Sequence, residues 1–242
     1  MPMNYIPLIV MVLGLAAMAA VLIFKKKAGN SARENYFKQL GWEYQKGSSA
    51  HVIGDEIEKS SLNFTLKGKE DGISWTIASY LYMEIDNKSN KPFSIFNCVL
   101  PDIKKGTCIL IPAFKNQAGN NKNIELLSYF SQISNSDILK KFGFNTDFIS
   151  SLAPFEASSQ VVNNSYNILA TDNNICKKVL GQENEKNLAA YIQNIKILTN
   201  MPLISLDCGK LEIKLPFTLQ KPEETRKLAD FGIDFTRNIL KT

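Results

Sequence analysis

Histidine is all but missing: His51 is the only one in 242 residues. That excludes any site built on two imidazoles of one chain and leaves His51 as the sole candidate for histidine acid–base work. It follows the polar run Gly47-Ser48-Ser49-Ala50, which reads as a surface loop. A Cys–His dyad through His51 is the sharper alternative, and nothing in the spacing favours it. Cysteine is sparse as well. Cys98, Cys108, Cys176 and Cys208 contain no Cys-x-x-Cys pair, so a zinc site has no support. Phosphate-binding glycine loops are lacking. Gly68-Lys69 runs into Glu70 and Gly209-Lys210 into Leu211, where a P-loop requires Ser or Thr to hold magnesium. No Gly-x-Gly-x-x-Gly or Gly-x-Ser-x-Gly occurs, and no Ser is followed three residues later by Lys. Nucleotide hydrolysis, dinucleotide binding and the simplest serine-hydrolase chemistry lose their usual signatures. No catalytic, cofactor-binding or metal-ligating residue is assigned, and no cofactor is implied.

Glycine and proline are too few, at 13 and 9, for a low-complexity chain, and 45% hydrophobic with 21% charged residues fits a folded one. The net charge of +5 comes from 28 basic and 23 acidic residues. Lys25, Lys26 and Lys27 supply three of the positive charges, with no acid before them, so the remainder balances at 25 against 23, or +2. A nucleic-acid-binding domain would carry a concentrated basic surface, so none is expected. The 23 asparagines reflect a compositional bias toward Asn, Ile and Lys. The Asn-x-Ser/Thr triplets at Asn63, Asn87 and Asn163 therefore arise by chance and count as glycosylation acceptors only in a secreted chain.

What the chain does have is an uncharged run from Tyr5 to Phe24. At ~1.5 Å per residue these 20 residues reach ~30 Å, the thickness of a bilayer's hydrocarbon core. Pro7 sits in the first turn, where its missing N–H costs little. Gly14, Ala16, Ala17, Ala19 and Ala20 give a smooth patch, but not the Gly-x-x-x-Gly spacing of a helix dimer. A secretory signal peptide needs a basic n-region, which Met1-Pro2-Met3-Asn4-Tyr5 lacks. A buried core helix fits poorly with a run closed by three lysines. The run is expected to be a transmembrane helix in contact with the lipid bilayer.

Orientation follows from the lysines. Positive flanks stay on the cytoplasmic side, so Lys25–Lys27, with Arg33 and Lys38 close behind, place the N-terminus outside and the large domain in the cytosol of a single-pass inner or plasma membrane protein. The same lysines can touch anionic headgroups.

The remainder reads as one soluble α+β domain. Its expected parts are an anchor with basic flank over 1–27, a juxtamembrane helix over 28–41, and the domain over 42–242. Ser31 and Glu34 have capping-box spacing, and Gly41 is a plausible helix stop. Leu62, Phe64 and Leu66 alternate with polar residues up to a Gly68–Gly72 turn, and Ile73, Trp75, Ile77, Leu81, Met83 and Ile85 carry the apolar set onward. A turn over Asn87–Pro92 and strands at Phe93–Leu100 and Thr107–Ile111 complete an antiparallel β-meander packed against several helices. Helices are expected at Ile124–Ile133, Asp137–Phe142, Ile175–Leu180 and Lys186–Leu198, with a short strand at Tyr166–Thr171. Strands return at Leu203–Cys208 and Leu211–Leu219, where Pro216 makes the second an edge or ends it. A C-terminal amphipathic helix starts near Pro222, with Leu228, Phe231, Phe235 and Ile239 in one stripe.

Two acidic groupings could bind a divalent ion or serve hydrolysis: Asp55-Glu56 with Glu58, near Glu84 or Asp86, and Glu183 with Glu185. Exposed acids near turns are the plainer reading. The pairs Lys104-Lys105, Lys140-Lys141 and Lys177-Lys178 are solvated surface unless the fold aligns them toward phospholipid. The expectation is a membrane-tethered, non-catalytic domain that binds an unidentified protein partner. The alternatives are a membrane-attached hydrolase using acidic residues and an anionic-lipid-sensing surface domain. One N-terminal span before an α+β cytosolic domain is a pattern common among small bacterial membrane proteins, and no motif singles out a family.

Overall fold

The computed structural model describes residues 31–47, 60–85, 89–113, 151–194 and 201–241, and only the backbone at 60–61, 82–85 and 89–91. The expected span Tyr5–Phe24, Lys25–Lys27, the helices at Ile124–Ile133 and Asp137–Phe142, and His51 all lie outside these residues. Among the described residues no helix is long and apolar enough to cross a membrane. The chain divides into two units between Tyr44 and Gln45.

In the first unit, α1 is helical over residues 31–39. Its end is a Schellman motif. Gly41, at φ +73°, donates to the Lys38 carbonyl at 3.0 Å, and Trp42 donates to the Phe37 carbonyl at 3.0 Å. Trp42 stacks on Phe37 with ring centroids 5.8 Å apart, the apolar contact that accompanies such a stop. Gly41 thus ends the helix as its position suggests. Strand β1 (Glu43–Lys46) begins at once and crosses the division.

The second unit is an α+β arrangement around one sheet. Its strands are β2 (Ser60–Glu70), β3 (Ile73–Ile85), β4 (Ser89–Val99), β5 (Thr107–Pro112), β6 (Ala153–Phe155), β7 (Tyr166–Ala170), β8 (Leu203–Asp207) and β9 (Lys210–Leu215). The helices are α2 (Gln160–Ser165), α3 (Asn173–Val179), α4 (Gln182–Asn194) and α5 (Pro222–Lys241). The nine strands follow the order β1-β2-β3-β4-β9-β8-β5-β7-β6, with every pairing from β2 onward antiparallel.

The meander expectation holds for β2-β3-β4 and fails at the next step. Strand β5 is not beside β4; the β8–β9 hairpin lies between them. Nothing local encodes that insertion, because the hairpin arrives about a hundred residues later. Pro216 does end β9 at Leu215, yet β9 is a central strand, not an edge.

Register explains the core. One apolar row crosses seven of the nine strands through Leu66, Ile77, Phe96, Ile213, Ile204, Leu110 and Ile168. Because side chains alternate faces, all of these point to one side, and all are buried. Each such side chain contributes ~1.5–3 kcal/mol by leaving water. Helix α5 packs on β3 and β4, and α3 on β5 and β7. The opposite face carries a smaller apolar cluster of Ile109, Ile111 and Leu203, joined by Leu152 and Leu169.

The β2–β3 turn is tighter than the sequence suggests, and the β8–β9 turn falls one residue earlier than expected. The β2–β3 hairpin turns on Asp71 and Gly72, and the β8–β9 hairpin on Cys208 and Gly209, all with positive φ. Two-residue loops of this kind match the twist of paired strands. Gly68 is therefore inside β2, not in the turn. A Cβ there would lie 2.2 Å from the Trp75 ring, so its lack of side chain makes room for the indole. The turn expected over Asn87–Pro92 also gives way, since β4 already runs from Ser89.

Helix α5 buries a broader face than its expected stripe. Leu228, Phe235 and Ile239 are buried with Ala229, Gly232, Ile233 and Thr236, while Phe231 stays half-buried against Tyr191 at 5.0 Å.

Candidate functional site

The buried polar groups hold backbone in place. Ser79 and Ser94 face each other on β3 and β4 with hydroxyls 2.9 Å apart. Ser94 donates to the Phe217 carbonyl at 2.9 Å, and the Leu219 amide donates to both serine oxygens at 3.2 Å. Thr218 donates to the Tyr80 carbonyl at 2.5 Å. These bonds fasten the strand exit at Pro216 to the sheet and so set where α5 begins.

Glu185, one of the acids singled out in the sequence, is buried near the start of α4. Its carboxylate accepts the Ser158 amide at 3.0 Å and the Ser159 amide at 2.8 Å. It braces the entry to α2. Glu183 is exposed in the same first turn, so the two acids do not converge. Neighbouring Asn184 donates to the Val179 and Phe235 carbonyls at 2.9 and 3.1 Å, which joins α3, α4 and α5. The other acidic grouping, Asp55, Glu56, Glu58 and Asp86, lies outside the described residues, as do Lys140-Lys141.

Asn163 spends its side chain on Ala157, accepting its amide and donating to its carbonyl, both at 2.8 Å.

The cysteines are free. Cys98 stands opposite Trp75 and Leu211, and Cys108 opposite Leu206 and Ala170, so the two are not paired across strands. Cys108 is instead adjacent to Cys176 of α3: burial holds its thiol well above the ordinary value, and the Cys176 thiol adds to the rise. Cys208, in its hairpin turn, is exposed and raised chiefly by the charge of Asp207.

One recess gathers residues the sequence left scattered. It is lined by Lys105, Gly106, Thr171, Asp172, Asn174, Ile175 and Lys178, opens broadly to solvent and has a volume of about 410 Å³. Its walls come from the approach to β5, the exit of β7 and the first two turns of α3. The Thr107 amide donates to Thr171 Oγ1 at 2.8 Å, the Thr171 amide donates to the Thr107 carbonyl at 3.0 Å, and Cys208 donates to the Gly106 carbonyl at 3.1 Å. Asp172 caps α3 by accepting the Asn174 amide at 2.9 Å. Lys105 and Lys178, each from a separate lysine pair, are thereby brought to one place. The sequence named both lysines, but the contact between their segments spans about seventy residues and leaves no local mark. Among the described residues no group of three or more His, Cys, Asp or Glu could hold a metal ion.

The fold and recess define an α+β domain with a small open cleft beside β5, β7 and α3. No family model matches the chain, and no curated protein matches it. Among solved structures, the mycobacterial trehalose monomycolate transport factor A, TtfA, is similar at a TM-score of 0.43 and 11% identity, over 85% of this chain and 89% of that one.

Proposed function

We propose that the chain is a single-pass membrane protein whose domain binds a protein partner at the cytosolic membrane face without catalysis. Residues 1–27 form the anchor and its basic flank, 28–41 a juxtamembrane segment, and 42–242 the binding domain. The observation that carries the reading is the uncharged run Tyr5–Phe24 closed by Lys25, Lys26 and Lys27. Among the buried polar groups, Ser79 and Ser94 bond each other and neighbouring backbone, Asn184 bonds backbone and Asn238, and Glu185 accepts two backbone amides. A reporter fused after Thr242 tests the topology: activity in the cytosol and silence outside support it, and the reverse overturns it.

A second reading, a surface domain that senses anionic lipid, is favoured by one specific observation. Lys105 and Lys178 line one recess instead of being scattered over the surface. Stronger pull-down of the full chain with anionic than with neutral bilayers, lost in Lys105→Gln, would support it.

A further inference from the structure

We propose that the recess between the start of β5, the end of β7 and α3 is a binding site for a phosphorylated polyol. Its two cations and one anion set the ligand class. Lys105 and Lys178 both line the recess, and a lysine ammonium suits a phosphate; Lys177, exposed and not part of the lining, is the control. Asp172 uses Oδ1 on the Asn174 amide, so a bare dianion gains nothing from it. A ligand hydroxyl can donate to that carboxylate, which is why a polyol phosphate fits better than inorganic phosphate alone. The volume of about 410 Å³ lies within the ~300–1,000 Å³ range of small-molecule clefts.

The recess is also built in advance of any ligand. The Thr107–Thr171 bonds fix two of its walls, and buried Ile175 fixes the third. Gly106 forms part of the floor: a Cβ there would come within 3.4 Å of the Ile175 side chain. Walls held by the core need little ordering when a ligand arrives.

The proposal deepens the anionic-lipid reading but stands without the anchor, because its ligand can be free in solution or the headgroup of phosphatidylglycerol. The test titrates the full chain in nonionic detergent with sn-glycerol 3-phosphate, and separately with dihexanoyl phosphatidylglycerol below its micellar concentration. Saturable binding weakened about tenfold in both Lys105→Gln and Lys178→Gln, as expected for loss of a charge-assisted hydrogen bond, and unchanged in Lys177→Gln, supports the site. Binding of glycerol 3-phosphate alone assigns the free compound, and binding of both probes or of the lipid alone assigns the headgroup. No saturable binding of either probe, or equal weakening in Lys177→Gln, overturns the site while leaving the membrane topology untouched.

Discussion

Gly232 of α5 rests directly on the ring of Phe96: a Cβ at position 232 would lie 2.7 Å from three of its ring atoms. In an exposed helix, Gly→Ala stabilises by up to ~1 kcal/mol. Here the added methyl overpacks a ring that is fully buried, at a cost of ~1–3 kcal/mol. Gly232→Ala should therefore lower the denaturation midpoint of the full chain in detergent. A raised midpoint would mean that α5 does not sit this close to the sheet.

The two buried serines should respond unequally. Ser94→Ala removes the donor to Phe217 and one acceptor for the Leu219 amide, and should cost ~1–3 kcal/mol. Ser79→Ala leaves Leu219 bonded to Ser94 and should cost less. Paired denaturant melts check the order, and a larger loss in Ser79→Ala contradicts the geometry.

Glu212 gives a pH dependence. Burial acts to raise its pKa, but Lys214 and Lys210, at 2.8 and 2.6 Å, outweigh burial and hold it below the ordinary value. The unfolded chain then binds this proton more readily than the folded one. The carboxylate's contribution to stability is present above the ordinary glutamate pKa and is lost as pH falls through the lower folded value. Denaturant midpoints of wild type and Glu212→Gln, compared from neutral pH down through that range, should converge as the solution is acidified. A constant gap would remove Glu212 from the acid response.

Glu185→Gln tests the brace at α2. The amide keeps one acceptor oxygen and turns its NH₂ toward a backbone N–H, so one of the Ser158 and Ser159 amides loses its partner. The expected loss is ~1–3 kcal/mol, with faster hydrogen exchange at those two amides. Unchanged exchange there would show that Glu185 does not hold the turn.

Elements with a strong period were legible in the sequence: β2 to β4, the β8–β9 pair and α5. Where local rules met, as at Gly41 and Pro216, the stops fell at the positions they mark. Leu81 shows why pattern alone falls short. Alternation puts it with Ile73, Trp75 and Ile77, but the β3–β4 register shifts between Tyr80 and Met83, and Leu81 is 48% exposed while Ser79 and Tyr80 are buried. A one-residue slip exchanges the faces of a strand. Strand β6 and helix α2 gave no signal, being three and six residues long, with Pro154 inside the strand. The recess was invisible because the segments carrying Lys105 and Lys178 come together only through the β5–β7 pairing.

Alkaline washing of native membranes, followed by intact-mass measurement of the retained protein, tests the membrane reading most directly. The account predicts a chain that resists extraction and still carries residues 5–24. Release into the wash, or a mature form that starts after Phe24, would contradict it.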